Sequence, residues 1–553
     1  MKKRIAFILC CGMVLSMLSG CGSKTEISGP YDYILKGGTV VDGTNSEPYV
    51  ADIAVKDGKI AKIAATIDGE AETTYDVAGQ IVAPGFIDIH THSDVSPFAV
   101  ASRPSKIFQG VTTELCGNCG KSMLPYTQEE YDEYMKTQSG KTDPMKTGHL
   151  SISEYAANLD KKGYYNNVGM LVGHARLRTT VMGEVDREPT EAELEQMKEL
   201  LAREMERGCY GMSLGLLYPP SAFAKVPELV ELSKVIAQYD GFLAVHMRNE
   251  GNDVVESLQE ALEVARQSGV RLQISHLKIT STKNWGKANE LLTMIEDAKK
   301  EGIDVNCDQY PFMASSTIIT VLLPDWAQDG GSTAIVNNLE NATDELKEEI
   351  LERVIERGGP DNIYILVGKY GTEHDNKYLS DVMKEYDLSE ADAVIKVVLD
   401  TKVTAHGIFF SMNEEDVTTI MKADFVCVGS DGSANDYAGT TYPHPRNFAT
   451  YPQYFQTVRE KDLMPIETAV YKCTGFPAEI MRLTDRGVLK EGMAADIIVF
   501  DYETIKSNST YSDSRQRPDG IQYIFVNGAL AVQDNKLIST TSGKALLYTP
   551  VKK

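Results

Sequence analysis

Positive charge is in short supply in this chain. Its 55 lysines and arginines face 79 aspartates and glutamates, which leaves a net charge of -24. A nucleic-acid partner requires a basic face, so that class is excluded. Long apolar runs are also scarce. Beyond the first twenty residues no stretch is long and apolar enough to span a bilayer. Cysteine is sparse, with nine in 553 residues, at 10, 11, 21, 116, 119, 209, 307, 427 and 473. The six after residue 21 are too dispersed for a disulfide framework and read mostly as small buried hydrophobes. Hydrophobic residues at 42% and charged residues at 24% describe an ordinary globular chain with room for one large domain and a smaller companion.

The chain opens on a targeting segment. Lys2-Lys3-Arg4 is a positive n-region and Ile5 to Met17 an apolar h-region too short to cross a membrane comfortably. Leu18-Ser19-Gly20-Cys21 then resembles the bacterial lipobox. That resemblance implies a signal peptide over residues 1–20, a lipid on Cys21 and a tether over 21–30. The expected location is the bacterial cell membrane, outside the cytoplasm, held only through that anchor.

Short strands and turns follow Tyr31, with Asp42-Gly43 and Asp57-Gly58 as turn signals, and similar material returns around Asn527-Gly528. Both ends together predict a small β-sandwich from residues 31–83 and 485–550. The section 84–484 alternates strands and helices. Apolar runs occur at Phe86–His90, Val111–Leu115, Val168–Val172, Gly211–Leu216, Phe242–His246, Leu272–His276, Ile303–Asp308 and Phe425–Gly429. Thr190 with Glu193 forms a capping box that opens a helix running to Arg207, and further helices are expected over 253–268 and 288–301. Eight buried strands with intervening helices predict a parallel (β/α)8 TIM-like barrel, an α/β fold. The alternation breaks between Pro324 and Ala405, where a helical insertion after strand seven is expected in the position of a lid.

The chemistry gathers at the strand ends. His90 and His92 stand one residue apart at the end of strand one, so both point to one face. Such a pair also occurs on solvated strands, but it is not alone here. Strand two runs into Cys116-Gly-Asn-Cys119-Gly, strand five ends in His246, strand six in His276 and strand eight leads to Asp431. Four of the nine histidines thus fall at equivalent points of one barrel, where such enzymes keep their active sites.

This pattern resembles the amidohydrolase superfamily, and the flanking motifs resemble its N-acyl-D-amino-acid deacylases. The matching pieces are Gly117-Asn-Cys119-Gly, Leu171-Val-Gly-His174, Gly215-Leu-Leu-Tyr218-Pro, Ser275-His-Leu-Lys278, Asp308-Gln-Tyr310, Gly429-Ser-Asp431-Gly and His444-Pro-Arg446. Many relatives bridge two metals with a carboxylated lysine from strand four, and Gly211–Leu216 offers none. The deacylases use a cysteine after strand two, which Cys119 matches. Cys116 competes with it, since CxxC can itself bind zinc or act as a redox pair.

The resemblance implies a tight zinc site of Cys119, His246 and His276, with His90 and His92 forming a second, weaker site. It implies Asp431 as general base and acid, and Lys278, Tyr310 and Arg446 on a substrate carboxylate. The implied activity is zinc-dependent hydrolysis of N-acyl-D-amino acids, a small-molecule substrate class, to a carboxylate and a D-amino acid. Cyclic amide hydrolysis, as in hydantoinases and dihydroorotases on the same fold, is the alternative. A tethered solute-binding lipoprotein that has lost catalysis is a third reading, and the intact ligands and Asp431 argue against it. His174 is given no ligand role, and His149, His374 and His406 lie in no motif.

Overall fold

Strands from the two ends of the chain meet in one sheet. In the computed structural model, which describes residues 30–99, 102–129, 151–366, 372–439 and 441–551, the first strands are β1 (Tyr31–Val40), β2 (Tyr49–Lys56), β3 (Lys59–Ala64), β4 (Ala71–Asp76) and β5 (Ile81–Pro84). The expected leader, Cys21 with its expected lipid, and His149 lie outside the described residues. Asp57 (φ 50°) and Gly58 (φ 76°) make a two-residue turn between β2 and β3, the left-handed pair that a tight hairpin requires. At the far end β19 (Ile497–Phe500), β20 (Ile521–Val526), β21 (Ala529–Gln533) and β22 (Lys536–Leu537) continue the sheet, because β19 pairs antiparallel with β5. Tyr33 on β1 touches Phe525 on β20 with ring centroids 5.2 Å apart. Two strands separate them in the sheet, so at about 4.8 Å per strand a flat sheet could not bring them together. The sheet curls over a core that includes Leu35, Ile53, Val55, Ile497 and Phe525.

The barrel lies between these ends. Its strands are β6 (Phe86–Asp88), β7 (Val111–Cys116), β8 and β9 (Asn167–Met170 and Val172–Gly173), β10 (Gly211–Gly215), β11 (Phe242–His246), β12 (Arg271–Ile274), β13 (Val305–Gln309) and β18 (Val426–Val428). Every neighbouring pair is parallel. β8 and β9 form one strand position, interrupted at Leu171, whose N–H still donates to the Cys116 carbonyl at 2.9 Å. Closure from the eighth strand to the first runs through Asp431 N–H on His90 O (2.9 Å) and His92 N–H on Gly432 O (3.0 Å). The backbone contacts that close the barrel therefore also place three residues of the site. The Thr190–Glu193 capping box forms, at the head of the helix Glu191–Glu206.

The insertion adds a small sheet to the expected helices. It holds helices at Gly331–Glu340, Asp344–Glu356, Leu379–Tyr386 and Glu390–Asp400. It also holds an antiparallel sheet of β14 (Ser315–Ile318), β15 (Ile363–Leu366), β16 (Lys377–Tyr378) and β17 (His406–Phe409). It has its own core, including Leu322, Ile350, Ile363, Val394 and Phe409. Its strands have two to four residues each and pair across long stretches of chain. Neither feature leaves a local signal in sequence.

Candidate active site

The loop after β7 turns through three left-handed residues, Gly117 (φ 81°), Cys119 (φ 53°) and Gly120 (φ 72°). A Cβ on Gly117 would stand 2.2 Å from the Leu171 carbonyl, so only glycine fits there. The turn aims the Cys119 thiol into the barrel mouth, 3.3 Å from His90 Nε2 and 3.5 Å from His276 Nε2. Gly215 closes the end of strand four against the same loop, since a Cβ there would lie 2.1 Å from the Cys119 carbonyl. A side chain at that point of strand four is sterically excluded.

His276 (φ 37°) and Asp431 (φ 50°) share this left-handed backbone with Cys119. A non-glycine residue held there costs on the order of 1–3 kcal/mol, and such strain concentrates at functional sites. Asp308 holds the histidines in place. Its Oδ1 lies 3.0 Å from His90 Nδ1 and accepts the His276 N–H at 2.9 Å, while Oδ2 accepts from Gln273 at 2.9 Å. Glu250 Oε1 lies 2.9 Å from His276 Nδ1. A carboxylate behind a ligating imidazole fixes its tautomer and raises its basicity. Neither Asp308 nor Glu250 stands out in sequence as a site residue. The cue available was position, one ending strand seven within a quoted motif, the other four residues past His246.

The ligand atoms of His90, Cys119, His276 and Asp431 lie within 4.8 Å of one another, as do those of His246, Glu250 and His276. The two groups share His276. Burial opposes ionisation of the Cys119 thiol, but the positive charge of His90 and the His246 and His276 imidazoles beside it hold it well below the ordinary thiol range. Burial keeps the His246 imidazole below its usual range. Both its ring nitrogens are buried without a hydrogen-bond partner. His92 is the most open of the set, with its side chain 27% exposed, and its Nε2 meets Asp431 Oδ1 at 2.9 Å.

Zinc fits this donor set. A thiolate and neutral imidazoles are its preferred ligands, and two orphaned buried nitrogens on His246 are what an unmet ligand role leaves behind. Cys116 does not join the cluster. Its thiol faces Thr91 Oγ1 at 3.3 Å, and burial drives its pKa well above the usual value.

Asp431 Oδ2 and Arg446 Nη1 form an ion pair at 2.8 Å. Burial would raise this carboxyl, but Arg446, His276 and the His92 hydrogen bond keep it well below the usual carboxylate range. The second Arg446 nitrogen donates to the Ser316 carbonyl at 2.9 Å. The Tyr310 hydroxyl is buried and unpartnered, and its ring lies 5.1 Å from the Arg446 guanidinium carbon. Lys278, expected on a substrate carboxylate, lines the cavity, but its ammonium is held by Glu250 Oε1 at 2.6 Å and lies 2.7 Å from His276 Nδ1. His174 is outside the cluster, between Ser221 Oγ (2.8 Å) and Glu228 Oε1 (2.9 Å).

A parallel barrel with thiolate, imidazole and carboxylate ligands converging at one mouth defines a metal-dependent hydrolase architecture. Residues 73–358 and 382–530 match the amidohydrolase family. The D-aminoacylase of Alcaligenes xylosoxydans xylosoxydans is 33% identical over 526 residues, 94% of this chain and 99% of that protein. A crystal structure of an N-acyl-D-glutamate deacylase from Bordetella bronchiseptica, complexed with zinc and a phosphonate inhibitor, superposes with a TM-score of 0.79 at 31% identity. That likeness covers 94% of this chain and 100% of the other. A dihydropyrimidinase from Brevibacillus agri, at 14% identity and TM-score 0.54 over 94% of this chain and 100% of its own, shares the fold alone. The chain belongs to the amidohydrolase family and, within it, to the D-aminoacylase group.

Proposed function

We propose that this protein hydrolyses the amide bond of N-acyl-D-amino acids, with zinc, releasing a carboxylic acid and a D-amino acid. The observation that carries this reading is the Cys119 thiolate among His90, His246 and His276, with the ionised Asp431 beside it. Cys119, His246 and His276 would hold the tighter zinc, and His90 with His92 a second site. Zinc held there supplies Lewis acidity, which eases ionisation of water and polarises an amide carbonyl.

The residues of the chain do the rest. Asp431 accepts the proton of the attacking water and returns it to the departing amine nitrogen, acting as general base and then general acid. His92 and Arg446 keep that carboxylate charged and fixed in direction. Tyr310 and Arg446 receive the substrate's α-carboxylate, through a hydroxyl without another partner and a planar cation. Lys278 and Glu250 orient His276 through its Nδ1. The excluded strand-four side chain and the cysteine loop support linear over cyclic amides. Turnover of N-acetyl-D-methionine by zinc-loaded protein, compared with its L-enantiomer and with hydantoin, tests the reading. Selective hydrolysis of the D-compound is expected, and preferred opening of hydantoin overturns it.

The exported, lipid-anchored location is proposed on the basic segment, apolar run and Leu18–Cys21 motif alone. Incorporation of labelled palmitate that is lost in Cys21→Ala tests it.

A further inference from the structure

One wall of the active-site cavity carries basic groups that hydrolysis does not use. Lys121 follows the metal-binding loop, Arg357 ends the helix Asp344–Glu356 of the insertion, and His406 opens β17. All three line the same cavity of about 670 Å³ as His92, Cys119 and Asp431. Lys121 Nζ sits 4.6 Å from the centroid of the Tyr218 ring, and the Arg357 guanidinium carbon 5.2 Å from that of Phe409. Among the described residues neither cation has a carboxylate at ion-pair distance. An aromatic face fixes a cation in position but leaves its charge unneutralised.

Most other charges of the cavity are matched, Arg103 apart, which among the described residues reaches only the Ser96 hydroxyl at 3.5 Å. Lys278 has Glu250, Arg446 has Asp431, and Asp436 has Arg515 at 3.2 Å. Asp94 accepts from the Gly117 backbone and faces His92. The anion beside Lys121 is the Cys119 thiolate, which a bound metal would claim. This positive wall stands in a chain of net charge -24. Unmatched cations lining a cleft attract and concentrate anions.

Building on the deacylase reading, in which Arg446 and Tyr310 take the α-carboxylate, we propose that the substrate carries a second carboxylate, on its D-side chain or on its acyl group, bound by Lys121 and Arg357. The positively charged wall is thus a specificity site for dianionic acyl-D-amino acids, built jointly by the barrel loop and the insertion.

Three compounds test this with zinc-loaded protein: N-acetyl-D-glutamate, N-succinyl-D-methionine and the singly charged N-acetyl-D-glutamine. One dianionic compound is expected to exceed N-acetyl-D-glutamine in kcat/KM by at least about tenfold, the worth of one charge-assisted hydrogen bond. Whichever is preferred reveals whether the side chain or the acyl group bears the carboxylate. Lys121→Met and Arg357→Met should each lower that preference ratio about tenfold, with zinc content retained as the check on folding. Calorimetric binding of the same compounds to Asp431→Asn protein reads the charge preference without turnover. Absence of turnover for all three counts against the deacylase reading. Equal or better use and binding of N-acetyl-D-glutamine, or a ratio unmoved in both variants, overturns the second-carboxylate site.

Discussion

Arg446 Nη1 and Asp431 Oδ2 lie 2.8 Å apart, so the cation proposed to meet the substrate carboxylate also holds the proposed general base in its charged form. In the proposed reaction, recognition and proton transfer share one ion pair. Both residues are at least nine-tenths buried, which keeps solvent from screening it.

Arg446→Ala is therefore expected to lower kcat/KM on N-acyl-D-amino acids by about 10²-fold, as for loss of a buried charged contact. The matching neutral amides should fall by a smaller factor, which reports the support of Asp431 alone. Arg446→Lys should restore little, because an ammonium cannot reproduce the planar fork. Identical losses on acid and amide would mean that Arg446 acts only through Asp431.

Asp431→Asn should reduce kcat by about 10²–10⁴-fold with zinc retained, the usual effect of losing a general acid–base. Rates and metal content measured on the same preparation decide it. Near-normal turnover in the zinc-replete variant removes Asp431 from proton transfer.

Metal analysis separates the two sulfurs of Cys116-Gly-Asn-Cys119. Cys119→Ala should lose tightly bound zinc, whereas Cys116→Ala should keep most of it, because the Cys116 thiol faces Thr91 rather than the histidines. Equal loss in both variants would show that both sulfurs bind.

Glu250→Gln should weaken zinc binding by about 10–100-fold, the usual consequence of disturbing a carboxylate behind a ligating histidine. Competition against a chelator measures it. The variant also leaves the buried Lys278 ammonium without its counter-charge, so unaltered affinity would be hard to reconcile with the arrangement.

Away from the site, Glu228 joins His174 (2.9 Å) and Arg178 (2.6 Å) in a buried network. Burial alone would raise its carboxyl, but His174 and Arg178 hold it below the usual value. A lowered folded-state pKa contributes stability that is complete above the unfolded value, near 4.5, and is lost as pH falls through the folded one. Glu228→Gln should cost about 3–5 kcal/mol at neutral pH by stranding Arg178. In denaturant melts the gap from wild type should narrow progressively below about pH 4.5. A gap that does not change with pH would show that the loss comes from packing.

The barrel was legible because each strand is a short apolar run and its period changes at every helix. The convergence of His90, His92, Cys119, His246, His276 and Asp431 at one mouth was legible because they follow such runs directly. Glu250 and Asp308 were not, since a single carboxylate near a strand end has no signature until its partner histidine is seen to face it. Lys278 follows the same logic in reverse: its motif pointed at a substrate, but its contacts are Glu250 and His276. The insertion's sheet was hidden by distance along the chain. Ser315–Ile318 finds its partner only at His406–Phe409, and no local pattern announces such a pairing.

The pairing of Ile81–Pro84 with Ile497–Phe500 sets an order on biosynthesis. As the chain grows from its N-terminus, all the barrel strands emerge before the strand that β5 requires. The edge of β5 therefore waits, unpaired and apolar, through the making of most of the molecule. Edges of that kind recruit other chains, and pairings so remote in sequence form slowly. The vulnerable period in the life of this protein falls before its last strands arrive.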